Sequence, residues 1–149
     1  ESDLSGLYRK QVARESFVVV TGEHSHFDDC NLDLEAYMNA KHGKFSFAEP
    51  TRGKVDAALE QMGLRRDVHI LLPTFLQIPA FLNDPELLFS VPENFGFYLQ
   101  KQFKIKLLPI PFKVAPIPIY LYWHERLHAS PLHRWLREQI LSVKAQALI

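Results

Sequence analysis

Apolar and polar positions change rhythm several times along this chain, and each change marks an element. Across 8–22 the apolar residues read as two strand segments, the second being Phe17-Val18-Val19-Val20. Such a run of aromatic and β-branched residues suits a strand covered on both faces. Polar residues dominate 23–31, with Gly22 before them and His24, His26, Asp28, Asp29 and Asn31 among them, and read as a loop. The spacing then predicts a short helix over 32–38 with Asn31 as its N-cap. Residues 44–48 are strand-like, and Glu49-Pro50-Thr51 is a turn that opens a helix. In that helix Val55, Ala58, Leu59 and Met62 fall at i, i+3, i+4 and i+7, and Gly63 supplies the stop.

Beyond Gly63 the pattern repeats. Residues 68–72 form an apolar strand ended by Pro73, and Thr74 caps a short helix through Leu82 that Pro79 shortens or kinks. A strand over 87–91 closes at Pro92, a helix follows over 93–102, and 103–108 is strand-like. This alternation predicts an α/β fold with a mostly parallel sheet and helices on both faces. The stretch 109–118 holds four of the ten prolines and reads as an extended connector. A strand resumes over 119–123, and Ser130-Pro131 starts a last helix with Ser at the N-cap and Pro at the first helical position. Leu132, Trp135, Leu136, Ile140 and Val143 lie along one stripe of that helix.

Composition narrows the function. At 149 residues the chain fits one domain, or two small lobes, without disulfide or metal staples. Seventeen Lys and Arg balance seventeen Asp and Glu, so the basic surplus that phosphate neutralisation needs is missing. Sequence-specific binding to duplex DNA is therefore not expected of this segment. Cys30 is the one cysteine and has no intrachain disulfide partner. No apolar run approaches a membrane span, and the start carries no secretory signal pattern.

Enzyme motifs fail on spacing. His24 and His26, and then His124, His128 and His133, show no zinc-site register, so no metal and no cofactor are expected. There is no G-x-S-x-G elbow around a serine, no Gly-rich phosphate loop, and Cys30 sits in a polar loop. No catalytic residue emerges. The positive signals are two strand-to-helix turns, Glu49-Pro50-Thr51-Arg52 and Pro73-Thr74-Phe75. In a parallel sheet both open on the carboxyl edge, where ligands bind. Their hydroxyls and free N–H groups suit an anion, Arg52 suits a carboxylate, and Phe75 offers a flat apolar wall. Spacing alone equally allows Thr51 and Thr74 to be plain helix caps, with Arg52 solvated.

The final third, Tyr120-Leu121-Tyr122-Trp123-His124-Glu125-Arg126 and then Ser130-Pro131-Leu132-His133-Arg134-Trp135-Leu136-Arg137, resembles the closing signature of LysR-type transcriptional regulators. The similarity is to the branch of nodulation and aromatic-acid-responsive regulators. Further matching elements are His42, Arg52-Gly53-Lys54-Val55-Asp56, Gly63-Leu64-Arg65-Arg66 and Leu88-Phe89-Ser90-Val91-Pro92. The resemblance implies a type II periplasmic-binding-protein-like effector domain of two α/β lobes, with a small molecule held between them. It implies a second lobe at about 16–110, a connector at 109–118, and the returning strand and helix of an incomplete first lobe at 117–149. It places Pro50, Thr51, Arg52, Thr74, Phe75, Pro116, Ile117 and Pro118 at the effector cleft. Such regulators are cytoplasmic dimers or tetramers that bind DNA through a separate winged helix-turn-helix, absent from this chain. The stripe at Leu132, Trp135, Leu136, Ile140 and Val143 is then expected to be an oligomer interface. A transport-type solute-binding protein of the same architecture is the alternative.

Overall fold

The structure is a computed structural model that describes residues 6–45 and 53–146, with side chains to 142. The chain divides into two compact units: Glu15–Ile117 forms one, and Glu1–Arg14 with Pro118–Ile149 the other.

The larger unit is built on five strands. They are β2 (Phe17–Gly22), β3 (Lys41–Phe45), β4 (Val68–Leu72), β5 (Leu87–Pro92) and β6 (Ile105–Pro109), in the spatial order β4-β3-β5-β2-β6. Strand β3 pairs in parallel with both β4 and β5, whereas β2 runs antiparallel to β5 and β6. Four strands thus share one direction and β2 opposes them, so the sheet is mixed, with two parallel and two antiparallel pairings. The sheet buries both faces by strict alternation. On one side Val19, Leu88 and Leu108 pack with Tyr37 of α1 (Leu34–Asn39) and with Val55 and Leu59 of α2 (Lys54–Gln61). On the other, Val20, Leu87, Phe89 and Val91 pack with Ile78, Leu82 and Leu99. Ile78 belongs to a 3-10 helix over Phe75–Phe81, and Leu99 to α3 (Glu93–Gln102). Gly43 is needed at its place, because a Cβ there would meet the Phe89 ring at 1.9 Å.

Local boundaries show which signals competed. The N-cap of α1 is Asp33, whose Oδ1 accepts from Ala36 N at 2.8 Å, and the helix starts two residues later than expected. Asn31 is used in the preceding turn instead: its side chain accepts from Asp28 N and donates to the His26 carbonyl, both at 2.8 Å. Strand β3 begins three residues before the expected 44, and 46–48 lie outside the described residues. Helix α2 stops as the sequence indicates, with Gly63 at φ 72°, although Met62 at its C-cap is exposed rather than part of the buried stripe. Pro79, lacking an N–H, sits inside the 3-10 helix that Thr74 caps.

The smaller unit holds β1 (Leu7–Glu15) paired with β7 (Ile117–His124), apart from Glu15 and Ile117, which fall in the larger unit, and α4 (Pro131–Gln146). Its order comes from stacked rings and two cations lying over them, Arg9 over Tyr120 and Arg137 over Trp123. The Tyr8 and His128 rings lie 4.1 Å apart, Trp123 Nε1 donates to His128 Nδ1 at 3.1 Å, and the Arg137 guanidinium sits 4.7 Å over the Trp123 ring. Arg137 also donates to the carbonyls of Leu127 and His128. These contacts give the Trp123 and Arg137 positions of the closing signature a structural role, with His128 between them. Because the indole N–H can only donate, His128 Nδ1 is the acceptor of that bond.

Candidate functional site

Strands β3, β4 and β5 end side by side, so their carboxyl ends share one edge of the sheet. On that edge a narrow pocket of about 10 Å3 is lined, among the described residues, by Gly43, Lys44 and Phe45 of β3, Leu72 of β4, Thr74, Phe75 and Ile78 after it, and Phe89, Ser90 and Val91 of β5. Phe75 forms its aromatic wall: its ring stacks on Phe45 at 4.2 Å and lies 5.1 Å from Phe95. Thr74 Oγ1 accepts from Leu76 N at a long 3.4 Å, so the hydroxyl caps its helix and retains its proton for another acceptor.

Behind the pocket lies a buried polar chain that the sequence reading did not assemble. Ser90 Oγ and Tyr37 Oη are 2.8 Å apart, and Tyr37 is fully buried. Burial raises the Tyr37 pKa, an effect partly offset by the Arg66 charge and the Ser90 hydrogen bond. Arg66 Nε donates to Asp56 Oδ1 at 2.7 Å, and Lys44 Nζ lies 2.7 Å from Asp56 Oδ2. Desolvation pushes the Asp56 carboxyl up, but Arg66 and Lys44 outweigh it and hold the pKa below its ordinary value. His42, also fully buried, donates from Nε2 to the Tyr37 carbonyl at 2.7 Å. Desolvation lowers its pKa to about 4, so it is a neutral structural imidazole at ordinary pH. One sequence signal for the chain existed: Ser90 interrupts the apolar run Leu87-Leu88-Phe89-Ser90-Val91.

A larger cleft, about 660 Å3, runs beside α2 and the start of β4. Its wall carries Lys44, Arg65 and Arg66 against Asp56, Glu60 and Asp67, so formal charges cancel. Arg66 and Lys44 are both already engaged by Asp56. We place the candidate site at the strand edge, where the Thr74 hydroxyl and the Phe75 wall meet, and not in the more spacious cleft. Among the described residues no group of three His, Cys, Asp or Glu side chains is arranged to hold a metal ion.

Of the residues singled out from sequence, the structure brings Thr74 and Phe75 together in this pocket. Pro50, Thr51 and Arg52 lie outside the described residues. Pro116 and Ile117 end the larger unit and Pro118 opens the smaller one. On α4, Leu132, Trp135, Leu136 and Ile140 are exposed, at 72%, 56%, 45% and 40%, while the side chain of Val143 is outside those described.

Comparison with known proteins gives a consistent result. The LysR substrate binding domain family matches residues 1–145. The transcriptional activator NagR of a Ralstonia species is 24% identical over 143 residues, covering 96% of this chain and 48% of its own length. The chain thus spans about half the length of the curated relatives it matches. Among solved structures, the regulatory domain of MexT, a Pseudomonas aeruginosa transcriptional activator, superposes with a TM-score of 0.79 at 25% identity. That match covers 93% of this chain and 66% of MexT's solved chain. The BenM effector-binding domain, solved with its effector benzoate, superposes at 0.72 with 17% identity, over 99% of this chain and 67% of its own, a likeness of fold.

Proposed function

Because this chain belongs to the LysR substrate-binding domain family, we propose that it is the effector-sensing part of a bacterial transcriptional regulator. It binds a small carboxylate, aromatic or of similar size, and biases DNA binding by a separate winged helix-turn-helix in the cytoplasm. The observation that carries this reading is the position of Thr74 and Phe75 on the carboxyl edge of three parallel strands. Ligands of open α/β sheets bind at that edge. The benzoate held by the BenM domain supports the ligand class. Pro50, Thr51, Arg52, Pro116, Ile117 and Pro118 complete the proposed site from the sequence side. Under this reading the larger unit is the second lobe, and β7 with α4 returns to the first.

Titration with aryl carboxylates tests it. Thr74→Val keeps the shape and removes the hydroxyl, and is expected to weaken binding by about tenfold; Arg52→Ala is expected to weaken it similarly. Unchanged binding in both variants contradicts the assignment.

We also propose that the α4 stripe of Leu132, Trp135, Leu136, Ile140 and Val143 mediates self-association into a dimer or tetramer. Exposed apolar side chains at this spacing mark an interface. Light scattering over a concentration series is expected to show a rising mass that Trp135→Glu abolishes. A mass that stays monomeric throughout contradicts it.

A further inference from the structure

Independently of any ligand, we infer that His128 is a pH-sensitive latch on helix α4, closed while its Nδ1 carries no proton and released when it takes one up. Three elements converge on this one residue. From β1, Tyr8 stacks on the imidazole with 4.1 Å between ring centroids. From β7, Trp123 donates its indole N–H to Nδ1 at 3.1 Å. From α4, the Arg137 guanidinium lies 4.7 Å over the Trp123 ring and donates to the His128 and Leu127 carbonyls at 3.0 and 3.4 Å. Both strands of the ribbon and the helix are thus tied through the turn that carries His128. The imidazole is exposed, so solvent protons reach it, whereas Trp123 and Arg137 are half-buried.

The bond from Trp123 forms in one protonation state only. An indole nitrogen donates and never accepts, so a proton on Nδ1 would set two donors face to face. The same proton turns the ring into a cation next to Arg137, which is anchored on the carbonyl of His128 itself. The other charged and titratable groups nearby are Arg9 and Lys10 beside Tyr8, His124, Glu125 and Arg126 before the turn, and His133 and Arg134 after it. Among the described residues no ion pair involves His128 or Arg137, so no carboxylate offsets the added charge. Protonation and the closed arrangement therefore exclude each other, and by linkage acid favours the open one. Stacking on Tyr8 survives, because a cation is attracted to the face of a phenol ring. What is lost is the tie from Trp123 to the turn and, with two cations now adjacent, the hold of Arg137 on α4.

Nuclear magnetic resonance of the isotope-labelled protein, titrated from about pH 8 to about pH 5 at a concentration where it is monomeric, is the test. The chain has two tryptophans, so Trp135→Phe identifies the Trp123 indole signal. That signal is expected to move upfield as the His128 ring takes up its proton, and the amides of Arg134 to Glu138 are expected to follow with the same midpoint. His128→Asn supplies an oxygen that accepts from the indole and does not titrate, and is expected to abolish both transitions. His124→Asn, which can still accept from the Arg126 amide, is expected to leave both in place. Arg137→Gln removes the neighbouring charge and is expected to move the midpoint to higher pH, a shift that a purely packing role would not produce. Circular dichroism establishes that each variant is folded. An indole signal that stays in place from pH 8 to pH 5, or a transition that persists in His128→Asn, overturns the latch. Should His128→Asn fail to fold, the other variants decide: a midpoint unmoved by Arg137→Gln, or transitions abolished by His124→Asn, overturn it equally.

Discussion

The two units use their apolar residues in opposite ways. Every buried residue among those described lies in the larger unit, from Val19 to Leu108, and the smaller unit has none. In the larger one a five-stranded sheet is covered on both faces, so each strand position finds a partner layer. In the smaller one two strands and a helix are held by ring stacking around Trp123 and His128, while α4 leaves four large apolar side chains exposed. Both units are comparably apolar in sequence. What separates them is the number of layers: one sheet with two covering layers closes a core, and a two-stranded ribbon with one helix does not. The larger unit therefore closes its own core, and the smaller one leaves the apolar side chains of α4 exposed.

The comparison breaks most sharply under the same change made in both places. Leu88→Ala, at a fully buried position, is expected to cost about 2–5 kcal/mol in denaturant unfolding. Leu132→Ala, at 72% exposure, is expected to cost no more than about 0.5 kcal/mol under conditions where the chain is monomeric. Equal losses would mean that α4 is packed after all. Acid provides a second separation. The native His42 takes up its proton only near pH 4, whereas the unfolded chain takes it up near 6.5. Between those values the unfolded state binds more protons, so stability is full above 6.5 and declines as pH falls toward 4. The loss is expected to approach about 3 kcal/mol, and His42→Gln should flatten that part of the curve. Asp56 and Asp84, held below 3.8, add their own loss only at lower pH. A stability curve that is flat from 6.5 to 4 would show that His42 is not the buried neutral group described.

Features of the fold governed by near neighbours were legible in the sequence. The alternation in Val18-Val19-Val20, the stop at Gly63 and the Thr74 cap each depend on residues a few positions apart. The misplaced cap shows the limit of the same logic. Asn31 and Asp33 are equally good cap residues, and only the turn at 28–31, which consumes the Asn31 side chain, decides between them. The antiparallel placement of β2 between β5 and β6 was not legible, because strand pairing is settled by the whole set of faces to be covered. At the site, Thr74 and Phe75 could be read from their turn. The Tyr37–Ser90 hydrogen bond could not, since the two residues are 53 apart in sequence and meet only once β5 lies beneath α1. Nothing in the local pattern around Asp56 distinguishes a buried ion-pair partner from an ordinary acidic residue in a helix's first turn.

Hydrogen exchange of backbone amides, followed residue by residue at two protein concentrations, tests the contrast between the units most directly. At low concentration the amides of Val19, Val20, Leu88 and Phe89 should exchange only through global unfolding, while those from Leu132 to Ile140 exchange orders of magnitude faster. At high concentration only the α4 amides should slow, as their apolar stripe becomes covered. Amides of α4 protected as strongly as those of β2 and β5 in a monomeric sample would contradict the account.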